Sequence, residues 1–202
     1  METEATARSV SVEILIDCDE NGILDYSAAN ELDVRGRAEV REYVQNILRR
    51  RSYLDFLIDH FSNVDIEDMK PRLKNILRLG IYDMIFMNST PDYAAINESV
   101  EIAKLTLGHR TGDLVNAIMR NMQRDIENLP KPNFKDRTKL VAVTFSHPEW
   151  LVRRWSKRFG EREAFQLMQA NNQRPFYYVR ANNLRTKTKN FKLRMTKSDI
   201  SF

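Results

Sequence analysis

Apolar positions recur at helical spacing through most of the chain, and the breaks between patterns divide it into short helices. From Ala7 to Ile16, Val10, Ile14 and Leu15 fall on one side with Val12 beside them, and Gly22 after Asn21 ends the pattern. The next pattern runs from Val34 to Phe61, with Val40, Tyr43, Val44, Ile47 and Leu48 on one face. It is interrupted near Ser52, which predicts two consecutive helices. Pro71 opens "PRLKNILRLGIYDMIFM", where a proline suits the first helical turn. Apolar residues there occupy nearly the whole circumference and leave Lys74, Asn75 and Arg78 as a narrow polar strip. This is expected to be the central buried helix, with Gly80 admitting a close neighbour in return for its poor helix propensity.

After the turn "NSTPD", the stretch "YAAINESVEIAKLTL" places Ile96, Val100, Ala103 and Leu107 on one face and ends at Gly108, a natural left-handed cap. Thr111 is expected to cap a helix over Gly112 to Asn128. That helix buries Leu114, Val115, Ile118, Met119, Met122 and Ile126, and turns Arg120 and Arg124 outward. "LPKPNFKD" has two prolines and no periodicity, so a linker is expected near 129–136. The expected division is a helical domain over 1–130, a linker at 131–139 and a basic segment over 140–202. "NILR" at 46–49 and 75–78 and "NAIMR" at 116–120 have no constant period, which excludes a solenoid. Each is two core residues followed by an arginine at the solvent edge.

With 202 residues, 42% hydrophobic and 30% charged, the chain can bury a good core in one domain and begin another. The longest apolar run, "IYDMIFM", is interrupted by Asp83 and is far shorter than the ~20 residues of a membrane span. Cys18 is the only cysteine, and the histidines at 60, 109 and 147 are scattered, so neither an internal disulfide nor a thiolate metal cluster is expected. A cytoplasmic protein is the resulting expectation.

Charge changes this picture. Residues 1–34 hold nine acidic groups against Arg8 alone, net −8; residues 35–130 are balanced; residues 131–202 carry net +12. The basic third attracts polyanions, and nucleic acid suits it better than a membrane surface. Within it, "SHPEWLVRRWSKRFG" begins with Ser146 and Glu149 at capping-box spacing. On a helical wheel Leu151, Val152, Trp155 and Phe159 gather on one side, while Arg153, Arg154, Lys157 and Arg158 surround Trp150 on the other. Cations for phosphates around an indole that can stack on a base is an arrangement of nucleic-acid binders. Packing of Trp150 on the preceding domain, with the cations merely solvated, is the competing reading.

The acidic end contains "DCDENGILDYSA", residues 17–28, with Asp, Asp, Asn, Gly and Asp at the first, third, fifth, sixth and ninth places of an EF-hand loop. The twelfth place, where the bidentate Glu is needed, holds Ala28, and no second hand follows. The segment is better read as a turn at Gly22 and a helix cap at Asp25.

"TPDYAAINESVEIAKLTLGHRTGDLVNAIMRNM", preceded by "RLKNILRLGIYDMIFM", resembles the signature region of NusB-type domains over roughly residues 5–128. Two relatives share that domain: the antitermination factor, and the RNA-binding N-terminal part of the Sun (RsmB, Fmu) family of 16S ribosomal RNA cytosine-5 methyltransferases. "SHPEWLVRRWSKRFG", "QANNQRP" and "YVRANNLRT" resemble the connecting helices and first strand of the methyltransferases' substrate-recognition subdomain. The implied fold is an all-α bundle, a linker, further helices and the first strand of an incomplete α+β subdomain. The implied role is to bind ribosomal RNA for a catalytic domain that uses S-adenosylmethionine and two cysteines. The alternative is an antitermination factor binding RNA and a ribosomal protein.

The chain ends at Phe202, before a cofactor sheet, and Cys18 matches neither family cysteine. No methyl transfer by this polypeptide alone, no resident cofactor and no DNA partner are therefore expected, and the chain reads as a truncated portion. The stretch "RMTKSDISF" is expected to lack regular structure. No histidine, serine or carboxylate constellation suggests hydrolysis. Asn97, Glu98 and Asn116 are read as structural. Family members carry an arginine cluster at the first helix, where this chain has only Arg8. The candidate RNA contacts are therefore Arg153, Arg154, Lys157, Arg158 and Trp150, with Arg180 and Arg185. A weaker set is Arg49, Arg50, Arg78, Arg120 and Arg124.

Overall fold

Thr6 and Ser9 open the first helix by exchanging hydrogen bonds. The Thr6 hydroxyl accepts from the Ser9 amide at 3.1 Å and the Ser9 hydroxyl from the Thr6 amide at 3.0 Å. This box starts α1, Ala7–Asn21, which ends at Gly22 in the left-handed conformation. The computed structural model describes residues 5–87, 90–173 and 179–197, and among these it forms ten α-helices and no strand. The others are α2 Val34–Arg49, α3 Arg51–Phe61, α4 Pro71–Phe86, α5 Asp92–Leu107, α6 His109–Arg124, α7 Arg137–Phe145, α8 Glu149–Phe159, α9 Glu161–Asn171 and α10 Thr188–Lys197. The all-α class expected from the spacing is the observed one.

As its apolar circumference requires, α4 is central. Leu73, Ile76, Leu77, Leu79, Ile81, Tyr82 and Met84 are all buried, with α1, α2, α3, α5 and α6 packed around them. Gly80 sits where α5 and α6 press in. A Cβ there would stand 2.4 Å from Ser99 Oγ and 2.5 Å from Met119 Cε, and both of those side chains are themselves buried. Gly80→Val is accordingly expected to lower stability by about 3 kcal/mol, the upper end of what overpacking costs. A urea midpoint that falls at unchanged m-value checks it.

Two further glycines set the joints. Gly108 (φ +92°, ψ 165°) and Gly160 (φ +84°, ψ 161°) occupy a region closed to side chains. Each ends one helix and begins the next without another residue between them. Consequently α6 starts at His109, before the expected Gly112, and Thr111 lies inside it as a helical residue whose hydroxyl donates to the Leu107 carbonyl at 3.3 Å.

The extended stretch 129–136 separates helices without separating compact units, and α7 already begins at Arg137. α7 packs on α3, and the division between compact units falls between Asn172 and Gln173. Helices α7, α8 and α9 share a small core of Val141, Ala142, Val152, Ala164 and Met168.

In the second unit, the strand expected at "YVRANNLRT" is not formed over residues 179–186, and Tyr178 lies outside the described residues. The Arg185 and Thr186 amides donate instead to the Asn182 carbonyl at 2.9 and 3.0 Å, closing a turn. A lone strand would leave such groups without a ladder partner. Arg194 to Lys197, expected to lack regular structure, belong to α10. Lysine, leucine, arginine and methionine are strong helix formers, and residues 198–202 lie outside the described residues.

Candidate nucleic-acid interface

Of the polar strip expected along α4, Asn75 and Arg78 are buried and Lys74 is half-buried. Arg78 is 3% exposed. Its Nε and Nη2 donate to the two Asp55 carboxylate oxygens at 2.6 and 2.9 Å, and its Nη1 donates to Asp19 Oδ2 and Asn75 Oδ1, both at 2.9 Å. Arg51 adds an ion pair to Asp19 Oδ1 at 2.8 Å. Burial opposes the charge on Arg78, yet Asp55 and Asp19 outweigh it and push the guanidinium above the ordinary arginine value. Arg78 therefore ties α4 to α1 and α3 and is withdrawn from the candidate RNA contacts. Asp19, third in the EF-hand-like series, is committed to these arginines, and residues 17–21 are helical where a calcium loop must turn. Asp25 Oδ1 accepts from the Ser27 amide at 2.9 Å in a local turn, and the short 3-10 helix Ser27–Glu31 that follows has Tyr26, not Asp25, at its N-cap.

A second buried cluster explains Asp83. Its Oδ2 accepts from Arg8 Nε and its Oδ1 from the Tyr43 hydroxyl, both at 2.8 Å, while Arg8 Nη1 reaches Glu98 at 2.7 Å. The lone arginine of α1 is thus turned inward, and Glu98 holds it. Burial, reinforced by the Asp83 carboxylate, drives the Tyr43 phenol upward. Stability from that proton is complete below pH ~10, the ordinary tyrosine value, and is lost as pH rises beyond it, because the unfolded chain releases the proton first. Tyr43→Phe is expected to cost about 2 kcal/mol at neutral pH and to shallow the alkaline loss of stability. Thermal melts from pH 7 to 11 measure both.

Arg49 and Arg50 are half-buried, each with Nη1 donating to Asn46 Oδ1 at 3.2 Å. Arg50 also lies 4.6 Å over the Phe86 ring and donates to the Asn172 carbonyl at 3.1 Å, so it fastens the end of α9 to the bundle. Arg120 and Arg124 are exposed on α6, bonded only to neutral Gln123 and Asn121. Arg180 and Arg185 are exposed in the second unit.

The remaining candidates converge on α8. The Ser146 to Glu149 capping box does not form. Ser146 is left-handed (φ 52°) and ends α7, while Pro148 precedes α8 without a side-chain cap. The Ser146 hydroxyl instead accepts from the Tyr53 amide at 3.0 Å, satisfying a free donor at the start of α3. This bond and the packing of α7 on α3 fix α8 to the bundle.

On α8 itself Val152 is buried and Leu151 and Trp155 half-buried, which turns the opposite face to solvent. Trp150 is 62% exposed, excluding the reading in which it packs on the preceding helices. At 100° per residue, Arg153, Arg154, Lys157 and Arg158 span about 140° of the helix with Trp150 at the centre. All four are exposed, and Arg153 meets Glu149 at 2.9 Å in a solvent-exposed pair that holds it only weakly.

The family model described as the NusB family matches residues 5–124. The chain belongs to the NusB family. A second model, the ferredoxin-like domain of RsmF/B-like methyltransferases, matches residues 147–202 and so begins at α8. Among curated relatives, the probable ribosomal RNA small subunit methyltransferase B of Bacillus subtilis (strain 168) is 30% identical over 190 residues. That match covers 90% of this chain and 42% of the relative. The protein of the same name from Synechocystis sp. is 31% identical, over 72% of this chain and 32% of its own length. The chain thus spans less than half of these relatives. The fold is also similar to a chain in the solved structure named for a plectonemic RNA supercoil, at TM-score 0.56 and 19% identity, covering 61% of this chain and 96% of that one. A structure named PH0851 aligns at TM-score 0.58 and 14% identity over 100% of this chain and 46% of its own.

Sequence reasoning missed Arg137, which lay inside the expected linker. It stands at the start of α7, with Arg153, on the wall of one small cavity. Only its place in a basic third pointed to it. Among the described residues no His, Cys, Asp and Glu side chains assemble into a metal site, and no helix is long and apolar enough to cross a membrane.

Proposed function

We propose that this chain is the RNA-recognition portion of a ribosomal RNA (cytosine-5) methyltransferase, orienting ribosomal RNA for a catalytic region. The observation that carries this is the exposed α8 face, four cations around an uncovered indole, at the point where the methyltransferase-type domain match begins. Cations hold phosphates and set register, while the indole offers a stacking surface to an unstacked base. The acidic α1, whose Arg8 is committed to Asp83 and Glu98, repels the same polyanion and so restricts which side of the molecule RNA meets. An antitermination factor reading accounts for residues 5–124 but leaves the match over 147–202 without a role.

The described residues do not suit S-adenosylmethionine. They contain no strand-to-helix turn on a parallel sheet, and the positive-φ glycines Gly22, Gly108 and Gly160 each end a helix. No chemical step is assigned to them, and methyl transfer belongs, in this reading, to the part of the relatives' length that this chain does not span. A labelled 16S ribosomal RNA fragment titrated by fluorescence anisotropy at low salt tests the proposal. Binding whose affinity falls steeply with salt is expected, and no binding at 50 mM salt overturns it.

A further inference from the structure

The small cavity beside the α8 face shares only Arg153 with the cations proposed to hold phosphate. It measures about 260 Å³ and lies between α7, α8 and α9. Val141, Val152 and Phe165 give it an apolar wall, with Phe165 stacked on Phe145 at 6.1 Å and so fixed as a ring. Arg137 and Glu161 face each other across it at 2.6 Å, both more than half exposed. A pair so exposed contributes little to folding and exchanges its partners readily. Thr138 and Ser156, each carrying a hydroxyl, line the same space, and Arg153 belongs both to this wall and to the cationic arc of α8.

We infer that this cavity receives one unstacked nucleobase of the bound RNA strand. This rests on the RNA-binding reading. The chemistry is that of a base: an apolar face and a ring for the planar surface, and a donor, an acceptor and two hydroxyls for an edge that carries both donors and acceptors. Arg153 makes the site continuous with the phosphate-binding face, so a strand held on α8 needs only to turn one base inward. Trp150 stacks a separate base on the outer side of the same helix.

The test compares a cytidine decamer with a decamer of the same length whose sugars are all abasic, using the full chain. Trp150→Ala removes the outer stacking surface first. In that variant the base-bearing strand is expected to bind about tenfold tighter than the abasic one. Adding Ser156→Phe, which fills the cavity without altering charge, brings the ratio to about one and leaves the salt slope in place. Arg137→Gln with Glu161→Gln, on an exposed pair that the fold does not need, reduces the same ratio. Should both strands bind Trp150→Ala equally, the cavity holds no base and the inference fails while RNA binding stands. Should neither strand bind the unaltered chain, the RNA-binding reading fails and takes this inference with it.

Discussion

Arg78→Met is expected to destabilise the bundle by about 3–5 kcal/mol, the cost of breaking a buried ion pair from one side. Methionine keeps most of the apolar stem but removes all the donors, and Asp55 and Asp19 then share a site 25% and 11% exposed in which Arg51 is the cation still paired, to Asp19, and Asn75 a neutral donor to Asp19. Asn75, fully buried, loses its acceptor partnership at the same time. Because Arg78 joins α4 to both α1 and α3, the loss falls on the packing of three helices. In a chain of this size it should lower the melting temperature by on the order of 10 °C. Arg78→Lys recovers only part of this, since a single ammonium cannot reproduce the bidentate fork on Asp55. The same variant separates structure from recognition. Measured well below its melting temperature, Arg78→Met should bind RNA with the salt slope of the unaltered chain, and a reduced slope would show that Arg78 meets phosphate after all.

Arg78 also shows where sequence reading stops. The spacing of Leu73, Ile76, Leu77, Leu79 and Ile81 made α4 legible as the central helix, and the cost of a helical glycine pointed to a close neighbour at Gly80, though not to which helices, α5 and α6, supply it. Periodicity reports which way a side chain points within its own helix. It does not report what waits there. Arg78 points at Asp55, 23 residues away, and at Asp19, 59 away; Asp83 points at Tyr43 and Arg8, 40 and 75 away. Asn75 and Arg78, which look solvated by their own helix, form a buried polar cluster once the partners fold in.

The misreading at Ser146 has a different origin. Ser-x-x-Glu is a capping box only if the serine is extended. Here Ser146 is left-handed at the end of α7 and its hydroxyl caps α3, 93 residues away in sequence. The face of α8 was legible for the converse reason. Its partners are solvent and, in the proposed reading, RNA, so the local wheel of Trp150, Arg153, Arg154, Lys157 and Arg158 already contained what mattered. Arg137 was passed over because proline-rich surroundings hid the helix it begins.

Reversing that face, with Arg153, Arg154, Lys157 and Arg158 all changed to Glu, is expected to weaken RNA binding by at least about 100-fold at 100 mM salt. Each phosphate contact on a single strand contributes roughly 0.7 to the slope of log affinity against log salt, so the loss of four should flatten the slope by about 3. The fold should persist. All four side chains are exposed, their loss breaks the surface pair between Arg153 and Glu149 and the exposed contact of Arg158 with the Phe159 ring, and Val152 remains buried beneath them. Helical content and the melting temperature therefore serve as the internal control. Reversal of Arg120 and Arg124 on α6 tests the competing surface. These two carry free charge on the bundle itself, with only neutral hydrogen-bond partners. If their reversal flattens the slope and that of α8 does not, RNA runs along the bundle and the α8 face is ordinary solvated surface. If α8 dominates, recognition lies where the NusB-type bundle hands over to the methyltransferase-type segment. A strand held there meets cations at the junction, while the carboxylates of the acidic first helix repel it.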